Sequence, residues 1–337
     1  MHRESMLFVQ EPGQPARAAL LFPPTKILSL KSANGLTNYV AGKDFVFQRE
    51  NQSLVLSEGS RVPFKTAAEM KPAPGSPQSI AACVDGKSHL FFTNDKTIHE
   101  LQAEITYTHR RGLWQGPTTS FAGQALPRAL HKLRHREPLK VVLLGDSISF
   151  GLNASSSSQV APFMPAYGEL VVRHLEQVYG RAITFTNFSI SGWSTVQGLA
   201  HIGQIAQEKP DLMILAFGMN DASGRMPAAK FAGNIQQLME AARKEQPQAE
   251  FILVASMLGN REWSYAAPEL YPAYRDALSG LCGDGVALAD LTTMWTALLQ
   301  HKKFADLTGN NVNHPSDFGH RIYAQVILGL LIEKFGR

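Results

Sequence analysis

The stretch "KVVLLGDSISFG", Lys140 to Gly151, decides how the rest of the chain is read. Four successive apolar residues, Val141 to Leu144, stop at Gly145-Asp146-Ser147, after which small and polar residues take over. A short apolar run rich in branched side chains and closed by a turn signal predicts a buried strand. A buried strand that ends at a serine is either a plain strand-to-loop turn or a device that holds one hydroxyl at the mouth of a sheet. The segments around it choose between the two.

Downstream, short apolar runs alternate with longer stretches of helical periodicity. The strand candidates are "LKVVLLG", "ITFTNFSI", "LMILAFG", "FILVASM" and "VALADL". Between them lie "YGELVVRHLEQVYG", "TVQGLAHIGQIAQ", "KFAGNIQQLMEAARKE" and "ELYPAYRDALSGL", each with apolar residues at i, i+3, i+4 spacing. Near-continuous apolar strands separated by helices imply a parallel sheet covered on both faces, a three-layer α/β/α domain of flavodoxin-like type. Ligands bind such sheets outside the carboxyl ends of the strands. Each strand end is therefore a place to look for chemistry.

Upstream the period changes to two. "KILSLKSA", "DFVFQRE", "SLVLSEGS" and "HELQAEITYTH" alternate apolar with polar residues and are separated by turn-prone pairs, whereas "AEMKPAPGSPQSI" reads as a long loop. The expected organisation is a smaller β-rich, sandwich-like module over residues 1–125 and a catalytic domain over 135–337. The stretch "RRGLWQGPTTSFAGQALPR" is the passage between them. No internal repeat is visible.

Composition narrows the function classes. The net charge of +4 invites a nucleic-acid reading, but the densest basic stretch, "PRALHKLRHREPLK", has no interleaved aromatics and no binding motif near it. It reads as a solvated helix and linker, so nucleic acid is not the expected partner. No apolar run approaches the roughly 18 residues that cross a bilayer, so no membrane partner is expected. The first residues, "MHRESMLFVQEPGQ", lack the apolar h-region of a signal peptide. That leaves a cytoplasmic expectation for the chain as given, or a secreted or periplasmic one if a leader has been removed. Cys83 and Cys282 are far apart and read as two buried free thiols rather than a disulfide or metal site. The scattered histidines, such as His174 and His201, show no metal-ligand pattern, and no cofactor is expected.

Four segments fall at strand ends or just after the last strand: "GDSIS", with Ser147; "NFSISGW", with Gly192; "FGMND", with Asn220; and "NNVNHPSDFGHRIYAQVILGLL", with His314. Pro315 biases His314 away from helical dihedrals and keeps it in a loop. In order and spacing the four segments resemble the sequence blocks of the SGNH (GDS-type) hydrolase superfamily, over roughly Leu139 to the C-terminus. They are similar to carbohydrate-esterase-like members, several of which carry an N-terminal β-module. The resemblance implies Ser147 as nucleophile, His314 as general base, and an oxyanion hole made by Ser147, Gly192 and Asn220. The chemistry suits those residue types. A serine hydroxyl needs an adjacent base to take its proton, and imidazole titrates near neutrality. Fixed donors must meet the oxygen on which charge develops. Asp146 reads as a structural hydrogen-bonding residue of the nucleophile turn. The polar "NASSSSQ" that follows reads as a loop on the rim of the cleft.

One departure stands out. The family usually places an aspartate three residues before the histidine, and here that position is Asn311. Asparagine can orient an imidazole but cannot balance its charge, and in serine proteases the Asp→Asn change costs about 10⁴ in rate. Three explanations stay open: a Ser-His dyad oriented by a backbone carbonyl, a carboxylate from elsewhere (Asp290, Asp306 or Asp317), or an impaired enzyme. "DFGH" offers the same Asp-x-x-His spacing around His320, but the proline follows His314, which the reading favours. Ser316 or Asp317 is expected to cap the helix that begins there.

The resemblance implies a serine esterase acting on short-chain acyl esters, O-acetyl groups on carbohydrate above all, with a small-molecule or carbohydrate ester as partner. Trp193, Trp263 and Tyr265 are the aromatic candidates for lining a sugar surface, or else core residues. The alternatives are a carbohydrate-binding protein with a degenerate hydrolase domain, and a longer-chain lipase.

Overall fold

A computed structural model describes residues 1–80 and 84–333 of the chain. Cys83, expected as a buried thiol, lies outside the described residues. The amino-terminal part contains strands β1 (Glu4–Gln10), β2 (Arg17–Ala19), β3 (Lys26–Ser32), β4 (Asn38–Tyr39), β5 (Phe45–Gln48), β6 (Ser53–Leu56) and β7 (Phe64–Thr66). Helix α1 (Ala67–Met70), β8 (Ser79–Ile80), β9 (Leu90–Phe91), helix α2 (Thr97–Leu101) and β10 (Gln102–Thr108) follow. Eight of these strands form one sheet in the order β4-β3-β10-β1-β2-β6-β5, with β7 also paired to β1.

Strand β1 changes partner midway. Glu4 to Leu7 face β10 antiparallel, whereas Phe8 to Gln10 run parallel to β7 and Val9 meets Arg17 of β2. The sequence concealed this strand because Ser5 to Val9 are all buried. A strand buried on both faces shows no alternation. Two other expectations shift. "HELQAEITYTH" is not one strand, since its first three residues close α2. The "AEMKPAPGSPQSI" loop opens on the single turn of α1, capped by Thr66, whose hydroxyl accepts from Glu69 N while the Glu69 side chain accepts from Thr66 N.

The carboxyl-terminal part contains helix α3 (Pro127–His135), β11 (Lys140–Gly145), α4 (Ser147–Phe150), α5 (Tyr167–Tyr179), β12 (Thr184–Asn187), α6 (Thr195–Ile205) and β13 (Leu212–Ala216). It continues through α7 (Met219–Ser223), α8 (Ala228–Glu245), β14 (Glu250–Ala255), α9 (Leu270–Ser279), β15 (Val286–Asp290), α10 (Leu291–Leu298), α11 (Phe304–Leu307) and α12 (Asp317–Leu331). The sheet is parallel throughout, in the order β12-β11-β13-β14-β15. This is the flavodoxin-like order, and its switch point falls between β11 and β13. Helices α3, α5 and α12 pack together, as do α6, α8 and α9, and the sheet lies in the layer between helices.

The inner strands explain the apolar runs: Val141 to Leu144, Leu212 to Leu215 and Phe251 to Val254 are all buried. Burying each such side chain contributes about 1.5–3 kcal/mol before chain entropy is counted. Strand β12 departs from the expected pattern. It is the edge strand, half-exposed and only four residues long. The basic stretch forms α3, which opens with Pro127 and buries Ala129, Leu130 and Leu133 while its charges face out.

The two parts share a buried core and buried polar contacts. Lys302 Nζ lies 2.8 Å from Glu4 Oε1, and both side chains are fully buried. The Leu7 N–H donates to Asp306 Oδ1 at 2.8 Å, and Gln102 Nε2 donates to the carbonyls of Ala305 and Thr308. Among the described residues, no helix is long and apolar enough to cross a membrane.

Candidate active site

The site is built where β11 runs out beside β13. Gly145 is required there by packing, because a methyl group on it would lie 2.5 Å from both the Ala216 carbonyl oxygen and Ser149 Oγ. Asp146 then caps α4, its Oδ1 accepting from Ile148 N at 2.9 Å. Burial pushes the Asp146 carboxyl up to about 7. Ser147 is the first residue of α4, so its N–H is one of the donors that a helix leaves without an internal partner. The strand end therefore presents a hydroxyl and an amide hydrogen from the same residue.

The imidazole arrives from the other end of the part. The loop between α11 and α12 is pinned by Ser316 N donating to Leu307 O and Gly309 N donating to His314 O, both at 2.9 Å. Asn310 Oδ1 accepts from the backbone N–H groups of Val312, Asn313 and His314. Within this frame His314 Nε2 lies 3.0 Å from Ser147 Oγ, with both residues buried. Burial pushes His314 down to about 4, because no counter-charge compensates for the water it has lost.

The second ring nitrogen faces two amides. His314 Nδ1 is 2.9 Å from Asn153 Oδ1 and 3.1 Å from Asn310 Nδ2. Neither expected orienter is there. Asn311 turns away, with φ +63: its Nδ2 donates to Phe91 O, and its own carbonyl accepts from Asn260 Nδ2. Asp317 is also engaged elsewhere, Oδ1 accepting from Ser155 N at 2.8 Å. Asp290 caps α10, and Asp306 accepts from Leu7 N and Lys303 N. Among the described residues, neither a carboxylate nor a backbone carbonyl faces Nδ1. A neutral amide from the "NASSSSQ" loop does, a residue that the sequence reading placed on the rim.

His320 lies inside α12, fully buried and stacked on Tyr167, with Nδ1 accepting from Tyr167 N at 3.4 Å. Ser316, rather than Asp317, caps that helix.

Gly192 and Asn220 flank the same strand ends. Gly192 is exposed and has φ +83, a left-handed conformation that only glycine adopts without strain. Asn220 sits in α7, and its Nδ2 donates to Trp193 O at 2.8 Å. That bond uses one amide hydrogen and leaves the second for another acceptor. Asp221 beside it is taken up by Thr195, whose N–H and hydroxyl both donate to Oδ1.

The aromatic candidates divide. Trp193 is half-buried and stacks on His201 at 4.5 Å, while Trp263 and the exposed Tyr265 form a tilted pair at 5.6 Å. Cys282 is a free thiol, half-buried rather than fully buried. Among the described residues, no group of three or more His, Cys, Asp or Glu side chains is placed to hold a metal ion.

A hydroxyl, an imidazole within hydrogen-bond reach and amide donors at neighbouring strand ends can perform acyl transfer. Residues 143–322 match the family model of the GDSL-like lipase/acylhydrolase family. The chain belongs to that family. An arylesterase of Vibrio mimicus is 30% identical over 101 residues, which are 30% of this chain and 46% of that protein. The chain thus spans about half the length of this curated relative. Among solved structures, a two-domain esterase (CEX) active on acetylated mannans is 18% identical, with 63% of this chain and 54% of that one covered and a TM-score of 0.48. Axe2, an acetylxylan esterase from Geobacillus stearothermophilus, is 19% identical, with 56% and 92% covered and a TM-score of 0.45.

Two site residues escaped the sequence reading. Asn310 carried a signal, since an asparagine whose side chain captures the following N–H groups is a recognised turn former. Asn153 carried none, because its partner is 161 residues away.

Proposed function

We propose that this GDSL-family chain is a serine-nucleophile carboxylic ester hydrolase. The observation that carries the reading is the 3.0 Å contact between Ser147 Oγ and His314 Nε2. Ser147 Oγ attacks the ester carbonyl carbon as His314 Nε2 takes its proton, and the carbonyl π electrons move onto oxygen. The Ser147 N–H, the Gly192 N–H and the free hydrogen of the Asn220 amide receive that oxygen's charge. Collapse expels the alcohol, which takes the proton from Nε2 and leaves an acyl-Ser147. Water then repeats the sequence, with Nε2 as base, and releases the acid.

In this reading residues 135–337 form the catalytic unit and 1–125 the module that precedes it. The preferred substrates are short-chain acyl esters, with O-acetyl groups on carbohydrate foremost. The loops that follow β11 and β12 support this, since Ser155 to Ser158 and Ser191 to Ser194 contribute mostly small polar residues. The test is release of nitrophenol from a series running from acetate to dodecanoate esters, compared with acetate release from acetylated xylan. Ser147→Ala is expected to lower kcat by about 10⁴ or more. Equal turnover by both proteins would end the esterase reading, and a long-chain optimum would end the short-chain one.

A further inference from the structure

Resting on the esterase reading above, we infer that Asn153 is the positioning residue of the base: its side-chain carbonyl holds His314 in the tautomer able to accept the serine proton. The argument begins with a conflict at one atom. Nδ1 has a single in-plane position, occupied either by a proton or by a lone pair. Asn153 Oδ1, at 2.9 Å, is an acceptor and requires the proton. Asn310 Nδ2, at 3.1 Å, is a donor and requires the lone pair.

Asn310 cannot be reversed, because its Oδ1 already receives three backbone N–H groups. The second hydrogen of its Nδ2 has an alternative acceptor in Asn313 Oδ1 at 3.0 Å. Only the tautomer demanded by Asn153 leaves a lone pair on Nε2, facing the Ser147 hydroxyl. In the other, Nε2 carries a hydrogen and Ser147 Oγ becomes its acceptor, so the serine keeps its proton.

Asn153 is held for this task. Its Nδ2 points to the Asn94 carbonyl at 3.4 Å. Turning the amide over would set oxygen against oxygen there and leave Nδ1 facing two donors and no acceptor. The same loop is tied by His99 Nε2 to Ala161 O at 2.9 Å, so the amino-terminal module grips it twice. From below, Gly309 lies so close that a methyl on it would be 2.5 Å from Asn153 Cβ. Asn153 is buried and left-handed at φ +63, a conformation that asparagine tolerates better than most residues. Among the described residues, no charged side chain hydrogen-bonds to the His314 ring, and the titratable neighbour that couples to it is His320, itself held neutral by burial.

The experiment compares the full chain with Asn153→Gly, which keeps the left-handed backbone, and with Asn153→Asp, which keeps the acceptor. Nitrophenyl acetate kinetics are paired with ¹⁵N spectra of the His314 ring, and thermal melts verify folding. Asn153→Gly is expected to lower kcat by about 10²–10⁴ with KM little changed, and to move the ring proton from Nδ1 to Nε2. Asn153→Asp is expected to recover kcat to within about tenfold and to raise the acid limb of the pH profile, since a carboxylate favours imidazolium. An unchanged ring tautomer in folded Asn153→Gly, or kcat within about threefold of the parent, overturns the inference. So does an Asn153→Asp variant as slow as Asn153→Gly. Should Ser147→Ala turn over as fast as the parent, the esterase reading falls instead, and the ring spectra still decide the role of Asn153.

Discussion

Turnover measured as the solution is acidified tests the electrostatics of the base directly. In the proposed mechanism the neutral imidazole of His314 is the active form, and burial places its titration near 4 rather than at the ordinary 6.5. Lowering the pKa favours the uncharged ring, so the base remains available at acid pH instead of being lost there. At pH 5 roughly nine-tenths of the rings stay neutral with a pKa of about 4, against roughly 3% for an unshifted histidine. The expected kcat/KM at pH 5 is therefore close to its neutral-pH value, where an ordinary histidine would have cost roughly 30-fold. Asp146 does not confuse the limb, because its capping oxygen still accepts from Ile148 N after the carboxyl is protonated. The assay is nitrophenyl acetate hydrolysis read at the nitrophenol isosbestic wavelength, with circular dichroism at each pH to separate loss of the base from unfolding. A limb centred near 6.5 in a folded protein would refute the argument, since it would require a ring that water or a counter-charge still reaches.

Other perturbations follow from the same geometry. Asn220→Ala is expected to lower kcat by about 10²–10³ with little effect on KM, the usual cost of one oxyanion donor; steady-state kinetics would show an unchanged kcat if the amide lies outside the site. His320→Gln is expected to leave turnover near normal and to make the fold less sensitive to acid. Its folded pKa of about 3 lies below the unfolded 6.5, so the stability it permits is complete above 6.5 and falls as pH drops toward 3. That loss runs at up to about 1.4 kcal/mol per pH unit. Urea unfolding at several pH values measures the slope, and an unchanged slope counts against it. Lys302→Met strands the buried Glu4 carboxylate and is expected to cost about 3–5 kcal/mol, read as a lower urea midpoint; a loss under about 1 kcal/mol would mean that the pair is not truly desolvated.

Much of this was legible in the sequence, and the limits have physical causes. Val141 to Leu144 announced a buried strand because both faces of β11 are covered. Ser147 and His314 could be paired from sequence because their segments resemble the first and last blocks of the GDS-type hydrolases. Asn311 and Asp317, expected as orienters, make their hydrogen bonds elsewhere, and their spacing could not show it. Spacing along the chain says nothing about where a side chain points, and the left-handed φ of Asn311 aims its amide at Phe91 O instead. Asn153 could not have been found, since a polar loop with four serines looks solvated and its contact to His314 arises only through tertiary folding. Strand β1 was overlooked because full burial erased the alternation that marks a surface strand.

The Glu4–Lys302 pair sets a condition on how the chain can be made and rearranged. The Glu4 carboxylate is made 298 residues before the Lys302 ammonium that pairs with it, and until then, among the described residues, only the Leu21 N–H and the Tyr107 hydroxyl are there to bond it. The buried charge is therefore balanced only once both parts of the chain have come together. A graft that replaces the amino-terminal strands will need to carry Glu4, Lys302 and Asp306 as one inherited unit.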